Sequence, residues 1–113
     1  MLKSDLEIRK GILFIRLTGI LSEQTASSLE EVTELIDENG LSNVVINLKN
    51  LEFIDKKGIH LFEYISKLCK KNNGKSLLCN VNTSVDKTLK KSKIDKYMTI
   101  TNNELKAFDI IKV

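Results

Sequence analysis

The sequence predicts an α/β domain with one mixed, mostly parallel sheet and the element order ββαβαβαβα. Three observations lead there. Short apolar runs rich in β-branched residues, at 12–17, 44–48 and 76–81, alternate with segments whose apolar residues recur every three or four positions. The runs are nearly continuous in apolar character, as strands covered on both faces require. Strands separated by helices pair in parallel through crossover connections.

In chain order, Leu6 and Ile8 alternate with polar residues as a short first strand, and Lys10-Gly11 supplies a hairpin turn. That first strand is therefore expected to pair antiparallel. Residues 12–17 form the second strand, which Gly19 is expected to end. Thr25, Leu29, Val32 and Ile36 form one apolar helical stripe, with Glu30, Glu31, Glu34 and Glu38 facing water and Asn39-Gly40 as the stop. Residues 44–48 are a central strand. Ile59, Phe62, Ile65, Leu68 and Cys69 mark a second helix that ends at Asn72-Asn73-Gly74. Residues 76–81 form the next strand, Val85 and Leu89 a short helix, and 97–100 the last strand. Thr101 with Glu104 fits a capping box, opening a final helix that buries Leu105, Phe108 and Ile111.

A chain of 113 residues fits one domain, spanning 1–113. With 42% apolar and 29% charged residues, it reads as globular rather than disordered. No apolar run approaches the roughly 18 residues of a membrane span. The segment MLKSDLEIRK lacks the apolar stretch of a signal peptide, so a cytoplasmic location is expected. The charge is uneven. Residues 1–42 hold four cations against eight anions, and residues 43–113 hold fourteen against seven. All the cations of the second part are lysines, and stacking aromatics are missing from its basic stretches, so solvated helix faces are expected there rather than nucleic-acid binding.

Enzymatic chemistry finds little footing. His60 is the single histidine, without a placed nucleophile or acid partner. No phosphate-cradling glycine motif is present, and no carboxylate pair stands out. Cys69 and Cys79 are expected as reduced, half-buried thiols, and with His60 they are too few for a zinc site. No catalytic residue, cofactor or metal is assigned.

In such sheets, sites form where loops converge at the carboxyl ends of the strands, here 19–24, 49–57 and 81–84. The middle loop is the most distinctive. Its Leu51, Phe53 and Ile54 are expected to tuck against the core, and Asp55 stands where a helix N-cap belongs.

Over nearly its whole length the chain resembles the STAS domain, the fold of bacterial anti-sigma-factor antagonists and of cytoplasmic tails of sulfate transporters. Gly19-Ile20-Leu21-Ser22-Glu23-Gln24-Thr25-Ala26 resembles the family's G-x-L-D-x-x-T-A entry to the first helix. Phe53-Ile54-Asp55-Lys56-Lys57-Gly58-Ile59 resembles its F-[MI]-D-S-S-G-[LI] loop. Cys79-Asn80-Val81-Asn82-Thr83-Ser84-Val85, with Leu89 and then Ser92 to Tyr97, resembles the tail in which a strand leads into a short helix.

The resemblance implies a partner-switching regulator. The unphosphorylated antagonist binds an anti-sigma factor, often a histidine-kinase-like ATPase, and phosphorylation of the Ser before the loop Gly breaks the complex. That Ser sits at a helix N-terminus, where a phosphate adds nearly two negative charges. Here Lys57 occupies the position and Ser22 replaces the first loop's Asp. The expectation is a binder that docks through Phe53, Ile54, Asp55, Lys56, Lys57, Gly58, Ser22 and Thr25 and lacks the usual switch. Ser22, Thr25 and Ser84 are the alternative candidate phosphoacceptors. Two other readings stay open: a stand-alone accessory subunit of a membrane transporter, and a sensor of a nucleotide or small anion that uses Lys56 and Lys57. Exposed apolar residues on the first helix leave a homodimer open.

Overall fold

The computed structural model describes residues 1–112. The elements run β1 (Leu2–Arg9), β2 (Ile12–Leu21), α1 (Ala26–Glu38), β3 (Asn43–Ile54), α2 (Lys56–Lys71), β4 (Ser76–Cys79), α3 (Thr83–Ser92), a 3-10 turn (Ile94–Lys96), β5 (Thr99–Thr101) and α4 (Glu104–Lys112). One five-stranded sheet takes the order β1-β2-β3-β4-β5. Only β1 runs antiparallel to its neighbour, and the other pairs are parallel. The expected order ββαβαβαβα and the mixed sheet are both present.

The two sheet faces are unequal. Leu13, Ile15, Leu17, Val44, Ile46 and Leu78 face α1, α2 and α3, packing on Leu29, Ile36, Phe62, Ile65, Val85 and Leu89. The opposite face, with Ile12, Phe14, Val45, Leu77 and Cys79, is covered by α4 through Ala107, with Phe108, Ile110 and Ile111 partly buried around it. Strand residues buried on alternate faces explain why the sequence reads as continuous apolar runs.

Several expected boundaries move. β2 does not stop at Gly19 but continues to Leu21. Gly19 has φ +102°, and a Cβ there would run into the Met1 carbonyl, so glycine lets β1 stay against a distorted strand. The expected loop 49–57 is mostly strand, because β3 runs to Ile54. Its buried residues Leu48, Leu51 and Ile54 are spaced by three, which a flat strand cannot bury on one face. The register shows how: between Arg16 and Thr18, and again between Gly19 and Ile20, β3 carries one residue more than β2. These two bulges turn a period of two into a period of three. Phe53 is thereby left half-exposed rather than tucked into the core, while Leu51 and Ile54 are buried.

The other corrections are smaller. β4 ends at Cys79 and β5 covers Thr99–Thr101. The final helix is capped by Asn103, whose Oδ1 accepts from the Lys106 N–H at 2.9 Å, and not by Thr101. Glu104 is therefore the first residue of the helix and is drawn to the sheet instead of closing a capping box. Leu105 is exposed. Cys69 and Cys79 are free and fully buried rather than half-buried, and burial pushes both thiols up to about 12.

Candidate functional site

The site lies at the carboxyl ends of β2 and β3, where α1 and α2 begin. Asp55 is the residue between β3 and α2 and organises both. Its backbone N–H donates to the Leu21 carbonyl at 3.1 Å, continuing the strand pairing. Its Oδ1 accepts from the Gly58 N–H at 3.1 Å, the N-cap expected from sequence. Its Oδ2 accepts from the Glu23 N–H at 2.9 Å, so one carboxylate caps α2 and ties down the β2–α1 loop. The second bond was not legible in the sequence, because it joins segments 32 residues apart.

Thr25 is the N-cap residue of α1, but its hydroxyl works on the loop behind it. Thr25 Oγ1 accepts from the Ser22 N–H at 2.9 Å and donates to the Ile20 carbonyl at 2.7 Å. Ser22 is buried within the turn so formed. Asn82 plays the corresponding part under β3. It caps α3 through the Ser84 N–H at 2.8 Å, and its Nδ2 lies within 2.8–2.9 Å of the carbonyls of Leu48, Lys49 and Leu51. Asn82 thus lies against the stretch of β3 that runs past the end of β4, where the β3–β4 pairing stops at Asn47↔Cys79. An Asn two residues before Ser84 was the available signal.

Gly58 sits in the first turn of α2 with no room for a side chain. A Cβ there would lie 2.6 Å from Ile54 Cγ1 and 2.8 Å from Leu21 Cγ. Lys57 reaches sideways to α1, where its Nζ lies 3.2 Å from Glu30 Oε2. Glu30, expected to face water, therefore answers the cation that the helix dipole disfavours. Lys56 is exposed. It borders an open groove between α2 and α3 with His60, Glu63, Thr88 and Lys91. Ile20 and Phe53 are cross-strand partners and remain 39% and 50% exposed, an apolar pair at the end of the sheet.

The structure thus brings Ser22, Thr25, Phe53, Ile54, Asp55, Lys56, Lys57 and Gly58 to one end of the sheet. Their roles differ: Ser22, Ile54 and Gly58 are buried and shape the site, while Phe53 and Lys56 are presented to solvent. Of the candidate hydroxyls, Ser84 is exposed, Thr25 is engaged in the turn and Ser22 is buried. Among the described residues no group of three His, Cys, Asp or Glu side chains is placed to hold a metal ion. Among the described residues no helix is long and apolar enough to cross a membrane.

Comparison with known proteins agrees with this geometry. The family model of the STAS domain matches residues 3–107. An anti-sigma F factor antagonist of Paenibacillus polymyxa is 31% identical over 113 residues, covering 99% of this chain and 97% of that protein. The crystal structure of an anti-sigma factor antagonist from Mycobacterium paratuberculosis superposes with a TM-score of 0.90 at 16% identity, covering 100% and 96% of the two chains. The Bacillus cell fate determinant SpoIIAA in its phosphorylated form superposes with a TM-score of 0.73 at 21% identity, covering 96% and 98%. A five-stranded mixed sheet in the order β1 to β5, an Asp-capped second helix and a family match over almost the whole chain lead to one conclusion: the protein belongs to the STAS domain family.

Proposed function

We propose that this chain is a non-enzymatic cytoplasmic regulator that docks onto a histidine-kinase-like anti-sigma factor and is not released by the serine phosphorylation used by its relatives. The observation that carries this reading is Lys57. It stands at the position that the family resemblance gives to the phosphoacceptor, and it is held 3.2 Å from Glu30. An ammonium cannot be O-phosphorylated, and its charge is opposite to that of a phosphoserine. The surroundings support this reading: Asp55 holds both loops, Gly58 allows close packing, and Phe53, Ile20 and Lys56 face solvent.

Docking is assigned to the start of α2, with Phe53 as apolar anchor and Lys56 as an exposed cation. Buried aromatic anchors carry large shares of interface energy, and charges at the rim steer association. Titration of the anti-sigma factor by calorimetry tests this. Phe53→Ala is expected to weaken binding about tenfold or more, a loss of the size of an interface hot spot. Lys56→Glu is expected to slow association in a salt-dependent manner. Unchanged affinity and rates in both variants would place the interface elsewhere.

A further inference from the structure

The two edges of the sheet differ, and the difference points to self-association. β5 is three residues long and offers little backbone to a partner. β1 is eight residues long, contains no Pro, and pairs with β2 in an unbroken register from Leu2↔Gly19 to Arg9↔Ile12. Edges are protected by shortness, bulges, Pro or charged side chains, and β1 has only the last: Lys3, Asp5, Glu7 and Arg9 lie on the face opposite to Leu6 and Ile8, and their mixed signs let a second copy answer them.

The phase of its open hydrogen bonds follows from the hairpin. Lys10-Gly11 is a two-residue turn with φ +53° and +78°, and its closing pair is Arg9↔Ile12. In such a hairpin the closing pair exchanges both backbone bonds, and every second pair does so after it. Glu7, Asp5 and Lys3 therefore bond to β2, while the N–H and C=O groups of Ile8, Leu6 and Ser4 point to the open edge. Leu6 and Ile8 lie opposite Ile15 and Leu13, on the face that carries α1. They are 42% and 62% exposed. Leu35, 44% exposed, lies on the flank of α1 turned away from Glu30 and Asp37, the two residues that reach α2.

We propose that β1 pairs antiparallel with β1 of a second copy of this chain about a two-fold axis at Glu7. Side-chain charge and the length of open backbone together select that register: centred on Ile8, Glu7 would meet Arg9, but Leu6 would fall against Lys10 in the turn and only Ile8 would pair edge to edge. Centred on Leu6, the pairing would set Lys3 against Arg9 and Asp5 against Glu7. Centred on Asp5, it would set Lys3 against Glu7 but oppose two Asp5 carboxylates that have no ion-pair partner among the described residues, and it would place Leu6 against Ser4 instead of Ile8. Centred on Glu7, it sets Asp5 against Arg9 twice and Leu6 against Ile8 twice. The facing Glu7 side chains are each held by their own Arg16 at 2.7 Å, and Arg9, which lies 3.6 Å from Glu7 in its own chain and is well exposed, is free to turn to Asp5 of the second copy. The paired edge residues lie opposite residues 12–16 of β2, at the end of the sheet away from Asp55, so both proposed docking sites stay open. The dimer does not depend on the function proposed above.

Sedimentation equilibrium of the full chain across a concentration series tests the proposal, with thermal unfolding as the control for folding. The wild type is expected to dimerise. Leu6→Lys and Asp5→Arg are each expected to weaken dimerisation about tenfold or more, the second by setting Arg against Arg. The Asp5→Arg/Arg9→Asp double variant restores opposite charges in this register and is expected to recover most of the wild-type association. A wild type that remains monomeric throughout, a dimer indifferent to Leu6→Lys, or a double variant no better than Asp5→Arg alone overturns the proposal.

Discussion

The N-termini of α2 and α4 sit on opposite faces of the same sheet and handle charge in opposite ways. At α4, Glu104 enters the first turn with the sign that the helix dipole favours. Arg16 grips it with two bonds of 2.8 Å and Asn47 adds one of 2.7 Å. The hydrogen bonds from Arg16 hold the Glu104 carboxyl below the usual carboxylate range, and those carboxylates in turn raise Arg16. At α2 the first turn holds no acid and two lysines, one answered by Glu30 and the other exposed. One helix end is closed on itself and the other presents charge outward. Fixed internal pairing suits a structural latch, and an unanswered cation beside an exposed aromatic suits a docking surface.

This contrast can be broken from either side. The largest expected effect is steric. Gly58→Val forces methyl groups into Leu21 and Ile54 and should lower stability by about 1–3 kcal/mol or more, read as a reduced urea midpoint. Glu104→Ala should cost about 1.5–3 kcal/mol, because it strips the charged hydrogen bonds from a partly buried Arg16. It should leave partner binding unchanged, since α4 lies on the other face. The same latch predicts a pH dependence. Glu104 titrates lower in the folded protein than unfolded, so its contribution is complete above the ordinary carboxylate range and is lost as pH falls through its folded value. Urea midpoints measured from neutral to acid pH should therefore fall less steeply in Glu104→Gln than in the wild type.

On the α2 side, Asp55→Ala removes the cap and the link to Glu23, for an expected loss of about 0.5–2 kcal/mol. Its effect on partner binding should exceed its effect on stability, because two loops of the proposed docking end lose their common anchor. Lys57→Ala should be the mildest, within about 1 kcal/mol, as its pair with Glu30 is well exposed. Chemical denaturation of the two variants side by side separates these cases.

Much of this arrangement is legible in the sequence because it is local. The helices follow from stripes such as Leu29, Val32 and Ile36, and the Asp55 cap from a carboxylate three residues before Gly58. What is not legible depends on distant partners. Period-three burial at Leu48, Leu51 and Ile54 reads as a loop until the extra residues opposite β2 are seen as bulges. Glu104 reads as half of a capping box until Arg16, 88 residues away, claims it. An Arg within the apolar run of β2 was the one signal of that latch, since a charge between buried neighbours needs a partner. Ser22, chosen by resemblance, is buried, and the exposed Ile20 beside it drew no notice because its neighbour Phe53 is brought there only by the bulged register.

The central claim is that docking persists where the phosphorylation switch is missing. The most direct test is to incubate the protein with the kinase-like anti-sigma factor and Mg-ATP, then measure intact mass and complex formation together, with Lys57→Ser in parallel. The account predicts an unmodified wild-type mass and a complex that survives ATP, while the serine variant gains phosphate and dissociates. Stoichiometric phosphate on the wild-type chain, with loss of the complex, would contradict it.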